Sequence, residues 1–245
     1  MQLMASTDGK VIEPRPLTKE EIEQLLGEAN FHFSSPELTP DSLIDILARY
    51  RVLLAGHWEV LHTFAHSLVW PQMSRVLLDP KPGNRIVKVL ADAFANQKVN
   101  VVVAANYAFD VFFGTSLAME LGARLVLTDI DNNGFFKEMR AGDLISGNEK
   151  ALVATNVILD SAYAHGTIKG ILNNGLRHEN LVGIATFVTT PEYVENQTAD
   201  SGLSPQKINK DFCFRALLSL PNITFHKSEC PMCKPQPLLY TKDYS

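Results

Sequence analysis

Apolar and polar positions between residues 99 and 188 alternate in blocks that predict strands and helices in turn. The predicted strands are apolar runs rich in β-branched residues, at 99–105, 124–128, 151–159 and 181–188. Helical periodicity separates them at 112–121, where Gly122 caps the pattern, and at 167–174. Strands that alternate with helices form parallel βαβ units, with helices on both faces of an open sheet. The predicted fold class is therefore α/β, an open parallel sheet flanked by helices.

The third of these strands is the one that most constrains the fold. From Leu152 to Leu159 it is apolar except for Thr155 and Asn156, as expected of a parallel strand covered on both faces. Ligands of such sheets bind outside the carboxyl ends of the strands. The loops at that edge are predicted at 105–111, 128–142 and 159–167.

The residues before 99 predict helices and a hairpin. Thr18 and Glu21 form a capping box that opens a helix through about residue 29, and Thr39 and Pro40 start a second helix. Short alternation over 52–78 predicts a hairpin-like hood over an edge of the main domain, and 80–94 is helical. We predict an extension with one helix at 1–40, poorly ordered over 1–16, followed by one domain at 41–240. Within that domain we predict a hood at 52–78 and a core at 80–190, and a tail follows at 225–245.

Composition excludes several classes of protein. The chain has 245 residues, 46% of them hydrophobic, enough for one sizeable core with an appendage. Its net charge of −5 gives no electrostatic reason to expect nucleic-acid binding. The first twenty residues contain no apolar run, so we expect no membrane contact and a cytoplasmic location. Three cysteines do not make a disulfide framework.

Four motifs in order point to one family. The first motif, at 56–80, contains Gly-His-Trp, His-Ser, Arg-Val-Leu and Asp-Pro. The second, at 101–124, has the pattern of a strand, a loop and a helix, and the third, at 152–167, that of a strand, a turn and a helix. The fourth, at 229–239, contains Cys-Pro-Met-Cys with a later Pro-Leu. Over roughly residues 41–240 the chain resembles the orotate phosphoribosyltransferase family. The resemblance implies a type I phosphoribosyltransferase fold. It also implies a reaction in which orotate displaces pyrophosphate from C1 of phosphoribosyl pyrophosphate with Mg²⁺.

The resemblance also implies where phosphoribosyl pyrophosphate would bind. The ribose-binding acidic pair aligns with Leu159 and Asp160, so only Asp160 keeps a carboxylate. The 5′-phosphate turn aligns with Ala164, His165, Gly166 and Thr167, where a helix N-terminus would offer backbone N–H groups. The pyrophosphate loop aligns with Ala105, Asn106, Tyr107, Ala108 and Phe109. The mobile loop, 129–143, holds the cations Lys137 and Arg140.

Several of these positions depart from the family pattern. Ala108 and Phe109 replace two glycines, which places side chains where backbone must approach a dianion and removes easy access to positive φ. Leu159 cannot contact a ribose hydroxyl. Lys137 and Arg140 stand among four acidic residues, so transition-state charge would be poorly compensated.

Three functions remain open at this point. The first is a homologue that binds a nucleotide, nucleobase or phosphoribosyl compound with impaired or lost transferase activity. The second is an active transferase in which Lys137, Arg140 or a residue of a second subunit replaces the lost contacts. The third is a non-catalytic dimeric regulatory or scaffold protein. We expect a small-molecule ligand and a homodimer, with no nucleic acid or membrane as partner.

Histidines and cysteines give two candidate metal sites. His226, Cys230 and Cys233 follow the pattern H-x3-C-x2-C and could supply three zinc ligands, with Cys213 or a partner chain as the fourth. His57, His62 and His66 are also closely spaced, although the resemblance explains two of them as hood positions. In either set the side chains could instead pack in the fold without binding a metal.

Overall fold

A computed structural model describes most of the chain. The described residues are 14–27, 38–60, 65–131, 136–139, 144–159, 162–190, 212–221, 223–233 and 239–240. Within them, no helix combines the length and the apolar character needed to cross a bilayer.

Two sheets and six α-helices are seen in this part of the chain. The strands are Arg15–Pro16 (β1), Leu53–Val60 (β2), Ala65–Pro71 (β3), Val101–Ala105 (β4), Arg124–Ile130 (β5), Phe136–Met139 (β6), Ala151–Ile158 (β7), Leu181–Thr189 (β8), Cys213–Ser219 (β9), Thr224–His226 (β10) and Leu239–Tyr240 (β11). The α-helices are Lys19–Gly27 (α1), Pro40–Arg49 (α2), Ser74–Leu77 (α3), Pro80–Asp92 (α4), Ala108–Leu121 (α5) and Ala162–Asn173 (α6). Short 3₁₀ turns lie at Ala95–Gln97 and His178–Asn180.

The central sheet has the order β6-β5-β4-β7-β8-β9. Strands β5, β4, β7 and β8 run parallel, which confirms the four predicted strands and the predicted fold class. The prediction that β8 is the last strand of the series is wrong, because β9 adds a further parallel strand beside it. At the opposite edge β6 is antiparallel to β5, so part of the predicted mobile loop is a strand.

The second sheet contains the hood. Strands β2 and β3 pair antiparallel, which confirms the predicted hairpin, and β1 and β10 extend the sheet on either side. Strand β11 pairs parallel with β2. The expectation that 1–16 are poorly ordered is therefore wrong for Arg15 and Pro16, whose backbones pair with β2; residues 1–13 lie outside the described part.

Two hydrophobic clusters cover the faces of the central sheet. The larger joins that sheet to the hood and to helices α1, α2, α4 and α5, with Leu43, Val69, Phe113, Leu152 and Phe187 among its buried members. The smaller packs α6 against the opposite face through residues such as Ile168 and Ile171. Both faces of β7 are therefore covered, as its apolar sequence predicts.

Candidate functional site

Polar side chains gather where β4, β5 and β7 end. Asn106 follows β4 directly, Thr128 and Asp129 lie in the last part of β5, and Asn156 lies near the end of β7. Because the carboxyl ends of parallel strands meet at one edge of a sheet, these residues share the edge at which α/β sheets bind ligands. We call this edge the crevice.

Asp110 is the acid of the crevice whose pKa is shifted most. It lies in the first turn of α5, is only 8% exposed, and accepts a hydrogen bond at Oδ1 from the Asn156 backbone N–H at 2.6 Å. Burial raises the pKa of its carboxyl group to about 7, and the N–H of Asn156 opposes this only in part. Asp110 therefore ties α5 to β7 while holding a proton for part of the time at neutral pH.

Asn156 carries a buried polar atom that the described residues leave unsatisfied. Its Oδ1 is inaccessible to solvent and has no hydrogen-bond partner among them. The backbone carbonyl of Asn156 accepts a bond from Thr186 Oγ1 at 3.3 Å, so the peptide is fixed to β8. An unpaired buried acceptor costs about 1–3 kcal/mol, so this atom is a candidate contact for a ligand.

Three hydrogen bonds connect β4, the residue that follows it and β5 on this side of the crevice. Asn106 Nδ2 donates to Asp129 Oδ1 at 2.8 Å, and the Asn106 backbone N–H donates to the Thr128 carbonyl at 2.9 Å. Thr128, fully buried, donates through Oγ1 to the Ala104 carbonyl at 3.4 Å. Asn106 is therefore oriented by its neighbours before any ligand binds.

The predicted pyrophosphate loop is shorter than its sequence suggests. Ala105 is the last residue of β4, Asn106 and Tyr107 form the whole connection, and Ala108 and Phe109 are already the first turn of α5. The predicted helix start at 112 is therefore wrong. Because Ala108 and Phe109 have helical backbones, neither position needs the positive φ for which glycine would be required. The cost of the two substitutions lies in side-chain bulk alone.

The predicted phosphate turn also lies inside a helix. Helix α6 begins at Ala162, so Ala164, His165, Gly166 and Thr167 belong to its first two turns, and the predicted helix start at 167 is wrong. The N–H groups of Gly166 and Thr167 come after the first four of the helix and are used within it. Residues 160 and 161, between β7 and α6, lie outside the described residues, and with them Asp160. Whether this turn binds an anion stays a prediction.

The two predicted mobile-loop cations differ in placement. Lys137 lies on the edge strand β6 and is exposed. Its neighbour Glu138 lies opposite Asp129 of β5 in the strand register. Arg140 lies outside the described residues. The position of Lys137 on a strand contradicts the prediction that its whole segment is a loop.

A second group of reactive side chains lies on the hood sheet. His57, His66, Cys230 and Cys233 place one potential metal-binding atom each within 4.8 Å of the others. This group does not contain His226, which spacing predicts; the Nδ1 of His226 instead lies 2.7 Å from Ser228 Oγ. Cys213 is buried in β9 of the other sheet, and His62 lies outside the described residues.

Burial affects the acid–base properties of this second group. Burial, together with the neighbouring His57, lowers the pKa of His66. Burial also raises the pKa of the Cys230 thiol. Both effects favour the uncharged forms of these side chains when they have no other partner.

Sequence reasoning placed Asp110 in a segment of the ligand-binding edge, 105–111, but did not identify Asp110, Thr155 or Asn156 as site residues. The signals were present, because Asp110 is an acid among apolar residues in the first two turns of α5 and the other two interrupt an apolar strand. It also missed the pairing of His57 and His66 with the cysteines, because the partners are more than 160 positions apart in the chain.

An open parallel sheet with helices on both faces, a crevice at the strand ends and an antiparallel hood define the class of type I phosphoribosyltransferases. Solved structures share this fold: orotate phosphoribosyltransferase from Aeropyrum pernix has a TM-score of 0.53 at 14% identity, covering 71% of this chain and 91% of that one. Adenine phosphoribosyltransferase from Trypanosoma brucei, in complex with AMP, pyrophosphate and ribose-5-phosphate, has a TM-score of 0.52 at 14% identity, covering 76% and 86%.

Sequence comparison identifies the family within that class. Orotate phosphoribosyltransferase of Helicobacter pylori (strain Shi470) is 32% identical over 201 residues, which cover 78% of this chain and 94% of the relative. The enzyme of Thermoanaerobacter sp. (strain X514) is 25% identical over 196 residues, covering 79% and 92%. No protein-family model matches the sequence. The chain belongs to the orotate phosphoribosyltransferase family.

Proposed function

We propose that this protein binds a nucleotide, a nucleobase or a phosphoribosyl compound in the crevice and that its transferase activity is impaired or lost. The observation that carries the proposal is the apolar residue at the end of β7. The family resemblance aligns the two ribose-binding acids with 159 and 160, and Leu159 is a buried hydrophobic residue, 8% exposed. Of the two implied carboxylates, the sequence therefore keeps only that of Asp160, which lies outside the described residues.

The charge of the crevice supports the same proposal. Among the described residues of its three segments, 105–111, 128–142 and 159–167, Lys137 is the only lysine or arginine. The same segments contain the acids Asp110, Asp129, Asp131 and Glu138. A diphosphate brought here meets more negative than positive charge, so neither its binding nor the charge that develops on departing pyrophosphate is well compensated.

The end of β7 offers a magnesium diphosphate fewer ligands than the family pattern does. Magnesium sites of this kind use one or two carboxylates together with substrate phosphates. Leu159 supplies no side-chain oxygen where the resemblance implies the first acid, and Oδ1 of Asp129 already accepts a hydrogen bond from Asn106. We assign no step of a reaction to Mg²⁺.

Asn156 supports binding of the uncharged part of such a ligand. Its Oδ1 is an acceptor without a described partner, and a ribose hydroxyl or a base N–H can donate to it. A hydroxyl or amide group needs no counter-charge at this place. We accordingly expect nucleosides and nucleoside monophosphates to bind more tightly than phosphoribosyl pyrophosphate.

The test combines turnover with binding. We expect orotate and phosphoribosyl pyrophosphate with Mg²⁺ to give a turnover at least about a hundredfold below the ordinary enzyme range of roughly 1–1,000 per second. Calorimetric titration should detect orotidine or uridine monophosphate, with the affinity falling in Asn156→Ala and unchanged in the exposed control Asn148→Ala. Turnover within the ordinary range contradicts the loss of activity, and absence of binding by all of these ligands contradicts the binding function.

An active transferase is the second candidate, and the exposed Lys137 on β6 favours it. If Lys137 compensates a departing pyrophosphate, turnover is measurable in the assay above and Lys137→Ala lowers it strongly. A non-catalytic regulatory role predicts neither turnover nor ligand binding. The predicted homodimer is checked separately by light scattering of the full chain.

A further inference from the structure

We propose that His57, His66, Cys230 and Cys233 bind one Zn²⁺ ion, which fixes the turn after β10 to the hood hairpin. His57 lies on β2 and His66 on β3, while both cysteines lie in the Cys-Pro-Met-Cys turn that follows β10. This site lies on the hood sheet and is separate from the crevice, so it does not depend on the proposed function.

The distances between the potential ligand atoms fit a tetrahedral ion. His57 Nε2 lies 3.0 Å from His66 Nδ1 and 3.4 Å from Cys230 Sγ. Cys233 Sγ lies 3.1 Å from His66 Nδ1 and 3.8 Å from His57 Nε2. With Zn–N about 2.0–2.1 Å and Zn–S about 2.3 Å, tetrahedral ligands are separated by about 3.3–3.8 Å. These four separations lie near the tetrahedral range, and none of the six exceeds 4.8 Å, so the longest must shorten by up to about 1 Å for all four atoms to reach bonding distance.

The kind of ligand selects the metal. Two thiolates and two imidazoles form a Cys₂His₂ set, which binds zinc in structural sites and disfavours Mg²⁺ and Ca²⁺. His57, His66 and Cys230 are 2%, 3% and 7% exposed, so three of the four ligands are shielded from bulk water, while Cys233 closes the group on its exposed side. Because the protein supplies all four ligands, no position is left for a substrate, and the ion has a structural role.

Hydrogen bonding alone explains the cluster less well. A thiol is a weak donor and a weak acceptor, so two thiols and two imidazoles gathered in one group gain little from one another. A Cys230–Cys233 disulfide would use only half of the group and would leave the paired imidazoles unexplained; both cysteines are free thiols in the structure. A metal ion accounts for all four side chains at once.

Such an ion would link distant parts of the chain. Cys230 and His57 are 173 positions apart, and β10 pairs with β3 through a ladder of only three residues. A short ladder holds a segment weakly, whereas a structural zinc site contributes directly to folding. The ion would therefore hold the carboxy-terminal segment against the hood.

The first experiment measures metal content in the full chain, purified without a histidine tag and without chelator. Elemental analysis should find about one zinc per chain in the wild type and less than about a tenth in Cys230→Ser and Cys233→Ser. His226→Ala and Cys213→Ser serve as matched controls, because they remove the ligands that sequence spacing predicts. Both should retain about one zinc. Removal of zinc by a chelator should lower the melting temperature of the wild type and leave that of Cys230→Ser unchanged.

A second measurement keeps the proposal testable if the cysteine variants fail to fold. X-ray absorption at the zinc edge of the wild-type protein should show two sulfur and two nitrogen neighbours at about 2.3 and 2.0–2.1 Å. The proposal is overturned by a wild type that neither contains nor takes up zinc, by a Cys230–Cys233 disulfide in freshly purified protein, or by loss of zinc from His226→Ala.

Discussion

The carboxyl group of Asp110 shows what one buried residue does to the stability of this protein. It is nearly inaccessible to water, and its hydrogen bond to the Asn156 N–H only partly offsets the cost of burying a charge. The folded protein therefore holds a proton at Asp110 up to about pH 7, whereas the unfolded chain releases it near the ordinary value of 3.8.

The first prediction concerns the pH dependence that follows. Between about pH 4 and pH 7 the folded state binds more protons, so Asp110 makes the free energy of unfolding fall by about 1.4 kcal/mol per pH unit. Its contribution is fully present below the unfolded pKa and is lost as the pH rises through about 7. Asp110→Asn removes this dependence while an amide oxygen can still accept the Asn156 N–H.

Urea denaturation at pH 5 and pH 8 measures the effect. From pH 5 to pH 8 the wild type should lose about 2–3 kcal/mol more than Asp110→Asn. The exposed Asp92→Asn is the control and should follow the wild type. Parallel profiles for wild type and Asp110→Asn would show that the carboxyl group is not protonated in the folded state.

At the scale of elements, the sequence predicted the type of element better than its ends. Each of the four predicted strands of the central sheet begins within two residues of its predicted start: 99–105, 124–128, 151–159 and 181–188. Apolar runs rich in β-branched residues favour a buried strand over a helix or an exposed loop. The starts of α5 and α6 were predicted four and five residues too late. Tyr107 caps α5 without a side-chain hydrogen bond, so the sequence carries no start signal there.

The pairing of β8 with β9 gives the second prediction. Gly183 lies opposite Cys213, and a Cβ at Gly183 would stand 1.9 Å from the Cys213 carbonyl oxygen, a backbone atom that cannot rotate away. Gly183→Ala must therefore separate the strands, and we expect a loss of about 2 kcal/mol or more in the free energy of unfolding. Gly27→Ala is the matched control, because no atom of the described residues lies within 4 Å of the added methyl group.

Thermal and urea denaturation of both variants decides the point. The control should keep or slightly raise the melting temperature, since alanine is the better helix former. If Gly183→Ala is as stable as the wild type, the close approach of β8 and β9 is not the reason for glycine at this position.

At the scale of the whole molecule, contacts distant in sequence decide what the sequence alone could not show. Spacing groups Cys230 and Cys233 with His226, whereas folding brings them to His57 and His66 of the hood. In the same way, the crevice unites Asp110 and Asn156, which lie on different elements. Local patterns are sufficient to predict the sheet, but each of these two groups depends on contacts between elements that lie far apart in the sequence.

The larger hydrophobic cluster predicts that the hood and the central sheet unfold together. Val69 of the hood and Leu152 and Phe187 of the central sheet are buried in this one cluster, so neither part can separate without exposing the apolar surface of the other. The two tryptophans of the chain, Trp58 and Trp70, both lie in the hood, with ring centroids 6.2 Å apart.

Tryptophan fluorescence therefore reports the hood alone, while far-ultraviolet circular dichroism reports both sheets and all helices. We expect the two signals to give the same urea midpoint and the same slope, as one cooperative transition requires. Leu152→Ala in the central sheet should shift both midpoints equally, by an amount that corresponds to about 2–5 kcal/mol. A fluorescence transition that precedes the dichroism transition, or that Leu152→Ala leaves in place, would show that the hood is an independent unit.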